Sequence, residues 1–196
     1  MPASSITQFK TLTRNLDMEH GLSGFSENHR LAAVLILVYP GEDGLNIILT
    51  RRTEHLPHHA GQISFPGGSV EPGDTSPVHT ALREAREEVA LDDNLVEVLG
   101  VLDITLLPSG FAVAPVLAVT ETLPALSPCP EEVAEIFSIP LSVIADLELY
   151  QEDYVERDGE RRDFYYLNYQ DYYIWGATAR MLLTLGRFLK SALESQ

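Results

Sequence analysis

A chain of 196 residues with 45% hydrophobic and 21% charged side chains has the size and composition of one globular domain with a sizeable core. Its formal net charge of −16 would repel a nucleic-acid backbone or an anionic membrane surface, so neither is expected as a partner. A small anionic substrate fits only where bound cations or local arginines reverse the field. The single cysteine, Cys129, excludes an internal disulfide framework and a cysteine-rich zinc site and suits a reducing cytoplasm.

The opening MPASSITQFK lacks the basic-then-apolar build of a signal peptide. Residues 1–29 read as a polar N-terminal arm with a short helix around Ile6 to Leu16, and residues 30–196 as one domain. The longest apolar run, Leu31 to Tyr39, has the length of a buried strand and falls short of the ~18–20 residues of a membrane span. LAAVLILVYP and LNIILTR read as two strands around the turn PGEDG. A polar loop, RTEHLPHHAG, then leads to the short apolar QISF and the turn PGGSVEPGD.

From Ser76 the period becomes helical, with Val78, Ala81, Leu82, Ala85 and Val89 on one stripe. Ser76 is placed as the N-cap and Pro77 at the first helical position, where its missing N–H costs nothing. Strand-like NLVEVLGVLDITLL, a PSG turn and FAVAPVLAV follow, and EEVAEIFSIPLSVIADL reads as a short strand or turn entering a helix at its proline. Tyrosine-rich segments from Tyr150 to Val155 and Phe164 to Tyr169 suggest a hairpin across RDGE, and a last helix runs from about Trp175 to Leu193. Strands and helices interleave, which predicts an α/β layered domain.

The run ALREAREEVAL carries the chemistry. At helical spacing Glu84 and Glu88 lie about 40° apart, with Glu87 about 60° to the other side. Like charges so placed cost a few tenths of a kcal/mol per pair, and Glu87 and Glu88 also meet the negative end of the helix dipole. A hard divalent cation would neutralise them; a solvated acidic face is the alternative for a helix standing alone. Arg83, four residues before Glu87, can hold one carboxylate, and Arg86 competes from the solvent side. Gly67 and Gly68, just upstream, allow a ligand or metal close to the backbone and expose a carbonyl oxygen as a further hard ligand.

From Gly67 to Leu91 the sequence resembles the Nudix box, G-x5-E-x7-R-E-U-x-E-E-x-G-U, where U is aliphatic. Gly68 falls on the first glycine, and Arg83, Glu84, Ala85, Glu87, Glu88 and Leu91 match the second half. Asp74 stands for the first glutamate, eight residues separate it from Arg83, and Ala90 replaces the later glycine. The resemblance implies an α/β/α sandwich with a mixed β-sheet over residues 30–196 and hydrolysis of a small nucleoside-diphosphate-linked substrate. It implies Mg2+ or Mn2+ held by Glu84, Glu88, the Gly68 carbonyl and Glu87. Glu87 is placed first as proton acceptor for the attacking water and Glu132, in the CPEEV segment, second; Glu131 is read as an ordinary surface group.

Upstream, ILTRRTEHLPHHAGQISFPGG from Ile48 to Gly68 resembles the coenzyme A pyrophosphatase pattern LLT-x-R-[SA]-x3-R-x3-G-x3-FPGG, with Pro57 on the second arginine position. The downstream YYIWGATA is also similar to that branch. This implies coenzyme A as substrate, with Arg51, Arg52 and Gly67 as binding groups. Pro57 motivates the alternative of ADP-ribose, a dinucleotide or a nucleoside triphosphate; a non-catalytic ligand-binding module would normally carry a damaged acidic run. His55, His58 and His59 are read as loop hydrogen-bonding or phosphate-contact groups, the tyrosines of residues 165–173 as core or substrate flank, and Trp175 and Gly176 as packing for the final helix. Oligomeric state is left open, a homodimer included.

Overall fold

The structure, a computed structural model, describes residues 5–17, 29–157 and 159–194. Part of the expected arm, and Asp158 of the expected hairpin turn, lie outside these residues. Helix α1 (Ile6–Thr13) is capped by Ser5, whose hydroxyl accepts from the Gln8 amide at 3.3 Å. Its Ile6, Phe9 and Leu12 are buried in the main core.

Strands β1 (Arg30–Gly41) and β2 (Gly44–Arg52) form a hairpin, with Gly41 opposite Gly44 and Val38 opposite Ile47. Beyond Ile47 the two strands splay, and the short β3 (Ile63–Ser64) and β4 (Gly67–Ser69) fill the fork, β3 on β2 and β4 on β1. A Cβ on Gly67 would lie 2.5 Å from the Ala33 carbonyl oxygen and 2.7 Å from Val34 Cα. Only a glycine lets this segment sit so close to β1.

Helix α2 (Pro77–Val89) begins as the sequence predicts, the Ser76 hydroxyl accepting from the His79 amide at 3.1 Å. Ala81, Ala85 and Val89 are buried against Ala33, Leu35 and Leu37 of β1. The helix stops at Ala90, which takes the left-handed conformation (φ 55°, ψ 35°) normally given to glycine. Ala90→Gly should relieve roughly 1 kcal/mol of backbone strain and raise the melting temperature by about 2–4 °C in a thermal melt.

Strands β5 (Glu97–Val101), β6 (Thr105–Leu106) and β7 (Phe111–Val119) follow, β7 running parallel to β1 from Arg30↔Phe111 to Val38↔Val119. Strand β8 (Val133–Pro140) pairs antiparallel with β2, and Pro140 leads into α3 (Leu141–Ala145). Next come β9 (Gln151–Arg157), β10 (Glu160–Tyr169) and β11 (Tyr172–Trp175), a separate antiparallel sheet, and α4 (Gly176–Glu194). Among the described residues the other eight strands make one mixed sheet. Because side chains alternate along a strand, Ile36, Val38, Ile47, Leu49 and Leu117 face the core shared with α1, α3 and α4, while Leu35, Leu37, Ile48 and Val116 face α2. The result is the expected α/β/α sandwich.

Strand β11 is absent from the sequence reading, which starts the last helix at Trp175. Four residues are too few for a period to show, and the break falls at Gly176, whose φ of 64° turns the chain from strand to helix. Leu167 and Ile174, on one face of this small sheet, enter the main core. On the other, Phe164 meets Trp175 edge-on at 5.5 Å and Tyr166 leans on Tyr173 at 5.3 Å.

Candidate active site

Arg83 is the hub on the polar side of α2. Its Nε and Nη2 reach the two Asp74 oxygens at 3.2 and 3.1 Å, and Nη2 also donates to the Ser69 carbonyl at 3.1 Å. Its Nη1 meets Glu84 Oε1 at 2.9 Å and Glu87 Oε2 at 3.1 Å. The Asp74 side chain is 2% exposed and accepts further hydrogen bonds from the Thr80 hydroxyl and the Glu71 amide, both at 2.9 Å. The Arg83 guanidinium, with these donors, holds the Asp74 carboxyl well below the usual carboxylate range. Asp74 is one methylene shorter than the glutamate of the Nudix pattern and sits one residue further from Arg83, yet both its oxygens reach the guanidinium.

The three glutamates of α2 differ sharply in burial: the side chains are 4% exposed at Glu88, 15% at Glu84 and 58% at Glu87. Glu88 Oε2 accepts from the Gly67 amide at 3.3 Å, and its Oε1 lies 3.6 Å from Arg52 Nη1. These partners do not offset its desolvation. Burial pushes the Glu88 carboxyl from an ordinary value near 4.5 up to about 8, and burial raises Glu84 as well, against the pull of Arg83.

A buried, under-compensated carboxylate beside a second carboxylate and a glycine carbonyl is a donor set of hard oxygens, which fits a divalent cation. Glu84, Glu88 and the Gly68 carbonyl would hold it. As they stand, Glu84 and Glu87 lean on Arg83, and among the described residues no three acidic, histidine or cysteine groups converge as a finished ligand set. Gly68 is tightly constrained, since a Cβ there would lie 2.4 Å from Glu84 Oε1. Gly68→Ala should therefore fold normally, because the Glu84 side chain can swing aside, but lose about a hundredfold in turnover, since a displacement near 1 Å is costly in a reacting site. A melt combined with steady-state kinetics checks both halves.

A loop from another part of the chain completes the acidic cluster. The amides of Ser127 and Cys129 donate to the Val89 and Glu88 carbonyls at 3.0 and 2.8 Å, satisfying the end of α2. This docks the start of β8 beside the helix, close enough for the Glu132 charge to raise both Glu84 and Glu88. Glu131 is tied up locally: its carboxylate accepts from the Cys129 thiol at 3.2 Å and its carbonyl from the Thr53 hydroxyl at 3.3 Å.

Arg51 and Arg52 leave β2 on opposite faces. Arg51 pairs with Glu135 at 2.9 Å, and Glu135 also accepts from the Tyr172 hydroxyl at 2.8 Å. Arg52 faces a cavity of about 450 Å3 beside Gly67 and Gly68, walled by Val34, Phe111, Trp175 and Met181. Trp175 and Gly176, expected only to pack the last helix, both line this cavity, because β11 sets Trp175 on the outer face of the small sheet. Phe111 and Met181 escape sequence reasoning, since an apolar residue on a strand or helix reads the same whether it meets core or cavity. His55 contacts the Glu131 carbonyl at 3.1 Å and His59 contacts Gln62 at 2.8 Å, so the loop histidines do not gather as a metal site.

A mixed sheet between helical layers, with paired glycines pressed against an acidic helix face, defines the class: a hydrolase of phosphoric anhydrides built on the α/β/α sandwich. The NUDIX domain model matches residues 29–157, and the chain belongs to the Nudix family. It is 39% identical over 163 residues to an uncharacterized Nudix hydrolase, NudL, of Yersinia pestis (strain Pestoides F), covering 83% of this chain and 81% of the relative. The NudL protein of Yersinia pseudotuberculosis serotype O:1b matches equally, at 39% over 163 residues with the same 83% and 81% coverage. In fold it is similar to RenU, a Nudix hydrolase from M. smegmatis, with a TM-score of 0.50 and 24% identity over 64% of this chain and 80% of that one. The protein is a Nudix pyrophosphohydrolase, of a family that generally uses divalent metal ions. Among the described residues no helix is long and apolar enough to cross a membrane.

Proposed function

We propose that the enzyme cleaves the diphosphate of coenzyme A or its derivatives, giving 4′-phosphopantetheine and adenosine 3′,5′-bisphosphate, with Mg2+ or Mn2+ as the ion and the cytoplasm as its compartment. The observation that carries this reading is the cavity beside Gly67 and Gly68, which joins the Arg52 guanidinium to a wall of Val34, Phe111, Trp175 and Met181. Such a wall suits a nucleotide diphosphate carrying a long, largely neutral arm. A divalent cation would polarise the phosphoryl oxygens and offset charge on the leaving group.

The chain's own groups divide the remaining work. Glu84, Glu88 and the Gly68 carbonyl supply the ion's ligands. Arg83, clamped by Asp74 and Ser69, fixes where Glu84 and Glu87 point. Glu132 takes the proton from the attacking water: its charge acts on Glu84 and Glu88 from a separate loop, whereas Glu87 is engaged with Arg83. The in-line attack on phosphorus then breaks the anhydride P–O bond, and the departing phosphate leaves as the anion. Glu132→Gln should lower kcat by ~10²–10⁴ with KM within about threefold of the parent, the signature of a lost general base. If Glu87→Gln shows that loss and Glu132→Gln does not, the base assignment moves to Glu87.

The substrate reading is tested by offering the purified protein coenzyme A, ADP-ribose, a dinucleoside polyphosphate and nucleoside triphosphates with either ion. Coenzyme A should give the highest kcat/KM, with 4′-phosphopantetheine among the products. Pro57, which leaves the β2–β3 loop one cation short of the coenzyme A pattern, favours the second reading, and ADP-ribose or a dinucleotide as best substrate would establish it.

A further inference from the structure

His55 sits in the β2–β3 loop with its Nε2 3.1 Å from the Glu131 carbonyl oxygen. A carbonyl has no proton to give, so Nε2 carries the hydrogen and donates it. The Thr53 hydroxyl donates to the same oxygen at 3.3 Å, which occupies both of its lone pairs. One residue further on, the Glu132 carbonyl accepts from the Thr53 amide at 3.0 Å. Three donors from two residues thus converge on consecutive carbonyls of the segment that carries Glu132. Glu131 is exposed, and water alone would satisfy its carbonyl, so two protein donors exceed what satisfaction requires.

The same segment is a tight turn. The Glu132 and Val133 amides both donate to the Cys129 carbonyl, at 3.0 and 2.8 Å, and the Cys129 amide donates to the Glu88 carbonyl at 2.8 Å. The Glu132 backbone is therefore held at both its polar groups, N–H on Cys129 and C=O on Thr53. Pins are needed here because the ladder of β8 on β2 is irregular: the register slips between Arg51↔Glu135 and Arg52↔Val133, which leaves Ala134 without an opposite residue. A shift of this kind re-aims the side chains beyond it. Thr53, 7% exposed, directly follows Arg52, whose Nη1 lies 3.6 Å from Glu88. Two adjacent residues at the end of one strand thus address the two halves of the chemistry, Arg52 a ligand candidate for the ion and Thr53 the base segment.

We infer that Thr53 and His55 are positioning residues for the general base: they fix the Glu131 and Glu132 carbonyls, and through them the place from which the Glu132 carboxylate takes its proton. This rests on the assignment of Glu132 as that base.

Steady-state kinetics of the full chain with Mg2+ test it, on coenzyme A or on whichever of ADP-ribose, a dinucleoside polyphosphate and ATP the parent turns over fastest. Thr53→Val, which keeps the shape and removes the hydroxyl, and His55→Ala should each lower kcat about tenfold, because a slightly misplaced base loses much of its advantage. KM should stay within about twofold. Thr53→Ser and His55→Gln, which restore a hydroxyl and an amide donor, should recover most of the loss. His55 is exposed, so His55→Ala should melt with the parent. Coupling supplies the readout that a purely structural role would not move: placed on Glu132→Gln, neither variant should cost more than about twofold further, since the group it positions is gone. Losses that persist in full on Glu132→Gln, or that fall on KM, overturn the positioning role. Parent-like turnover in Thr53→Val and His55→Ala beside a deep loss in Glu132→Gln overturns it too and leaves the base assignment standing. Parent-like turnover in Glu132→Gln sinks the base assignment, and the positioning role with it.

Discussion

Glu88→Gln is expected to cut turnover by about a thousandfold or more, the scale on which removing a group that stabilises transition-state charge is felt, and at the same time to make the cation-free protein more heat-stable above neutral pH. The two effects have one origin. Glu88 is buried with only the Gly67 amide and a guanidinium 3.6 Å away to offset its charge, so its carboxyl is raised to about 8 in the fold against an ordinary value near 4.5. Between those values the unfolded chain releases a proton that the folded chain keeps. The stability tied to Glu88 is therefore full below about pH 4.5, declines as pH rises, and is at its lowest beyond about pH 8. Glutamine removes that decline. A divalent cation favours the ionised form, so the thermal shift that Mg2+ gives the parent should grow with pH across the same window and be absent in the variant. Melting curves at a series of pH values, with and without Mg2+, together with kcat, check the pair; undiminished turnover would remove Glu88 from the site.

Asp74→Ala should produce the largest loss of stability of any single change near the site. The Asp74 side chain is almost fully buried and binds both Nε and Nη2 of Arg83, the Thr80 hydroxyl and the Glu71 amide. Removing one partner of a buried pair leaves the other uncompensated, at a cost of about 3–5 kcal/mol, or a fall of about 10 °C in melting temperature for a domain of this size. Activity should fall with it, because Arg83 then no longer fixes Glu84 and Glu87. The acid limb carries the same signature. The Asp74 carboxyl is depressed in the fold, so its contribution is fully present above its ordinary value near 3.8 and is lost as pH falls below it. The parent should lose stability more steeply than the variant below about pH 4, as read from acid-unfolding curves.

Such a variant also separates two roles that the sequence alone runs together. From spacing, Arg83 is a catalytic candidate or a neighbour of Glu87. In the fold it is a brace with four protein partners, and the group that locks it, Asp74, is one of the positions where the Nudix pattern is altered. The one-residue insertion and the shorter acid occur together in a bond that still closes.

Much of the molecule is legible from sequence because its signals are local. Capping by Ser76, the stripe through Ala81, Ala85 and Val89, and the acidic arc of Glu84, Glu87 and Glu88 depend on one helical period and on neighbours a few residues away. The alternation in β1, β2, β7 and the tyrosine hairpin is equally local, and so is the Gly67–Gly68 signal. Those features pointed to an α/β layered domain and to candidate oxygen ligands for an ion before any contact was known, and the sandwich with its mixed sheet followed from the resemblance to the Nudix box.

The tertiary structure decided what sequence spacing cannot carry. Burial ranks Glu88 above Glu84 and Glu87, although all three share one arc, because Glu88 turns to the Gly67 amide while Glu84 and Glu87 lean on Arg83. A pairing of Cys129 with the end of α2 brings Glu132, 44 residues beyond Glu88 in the chain, to the cluster. Opposite faces of one strand send Arg51 to Glu135 and Arg52 to the cavity. Each of these outcomes depends on which face meets which partner across the sheet, and on the dielectric that results, quantities fixed by long-range packing and not by the order of residues along the chain.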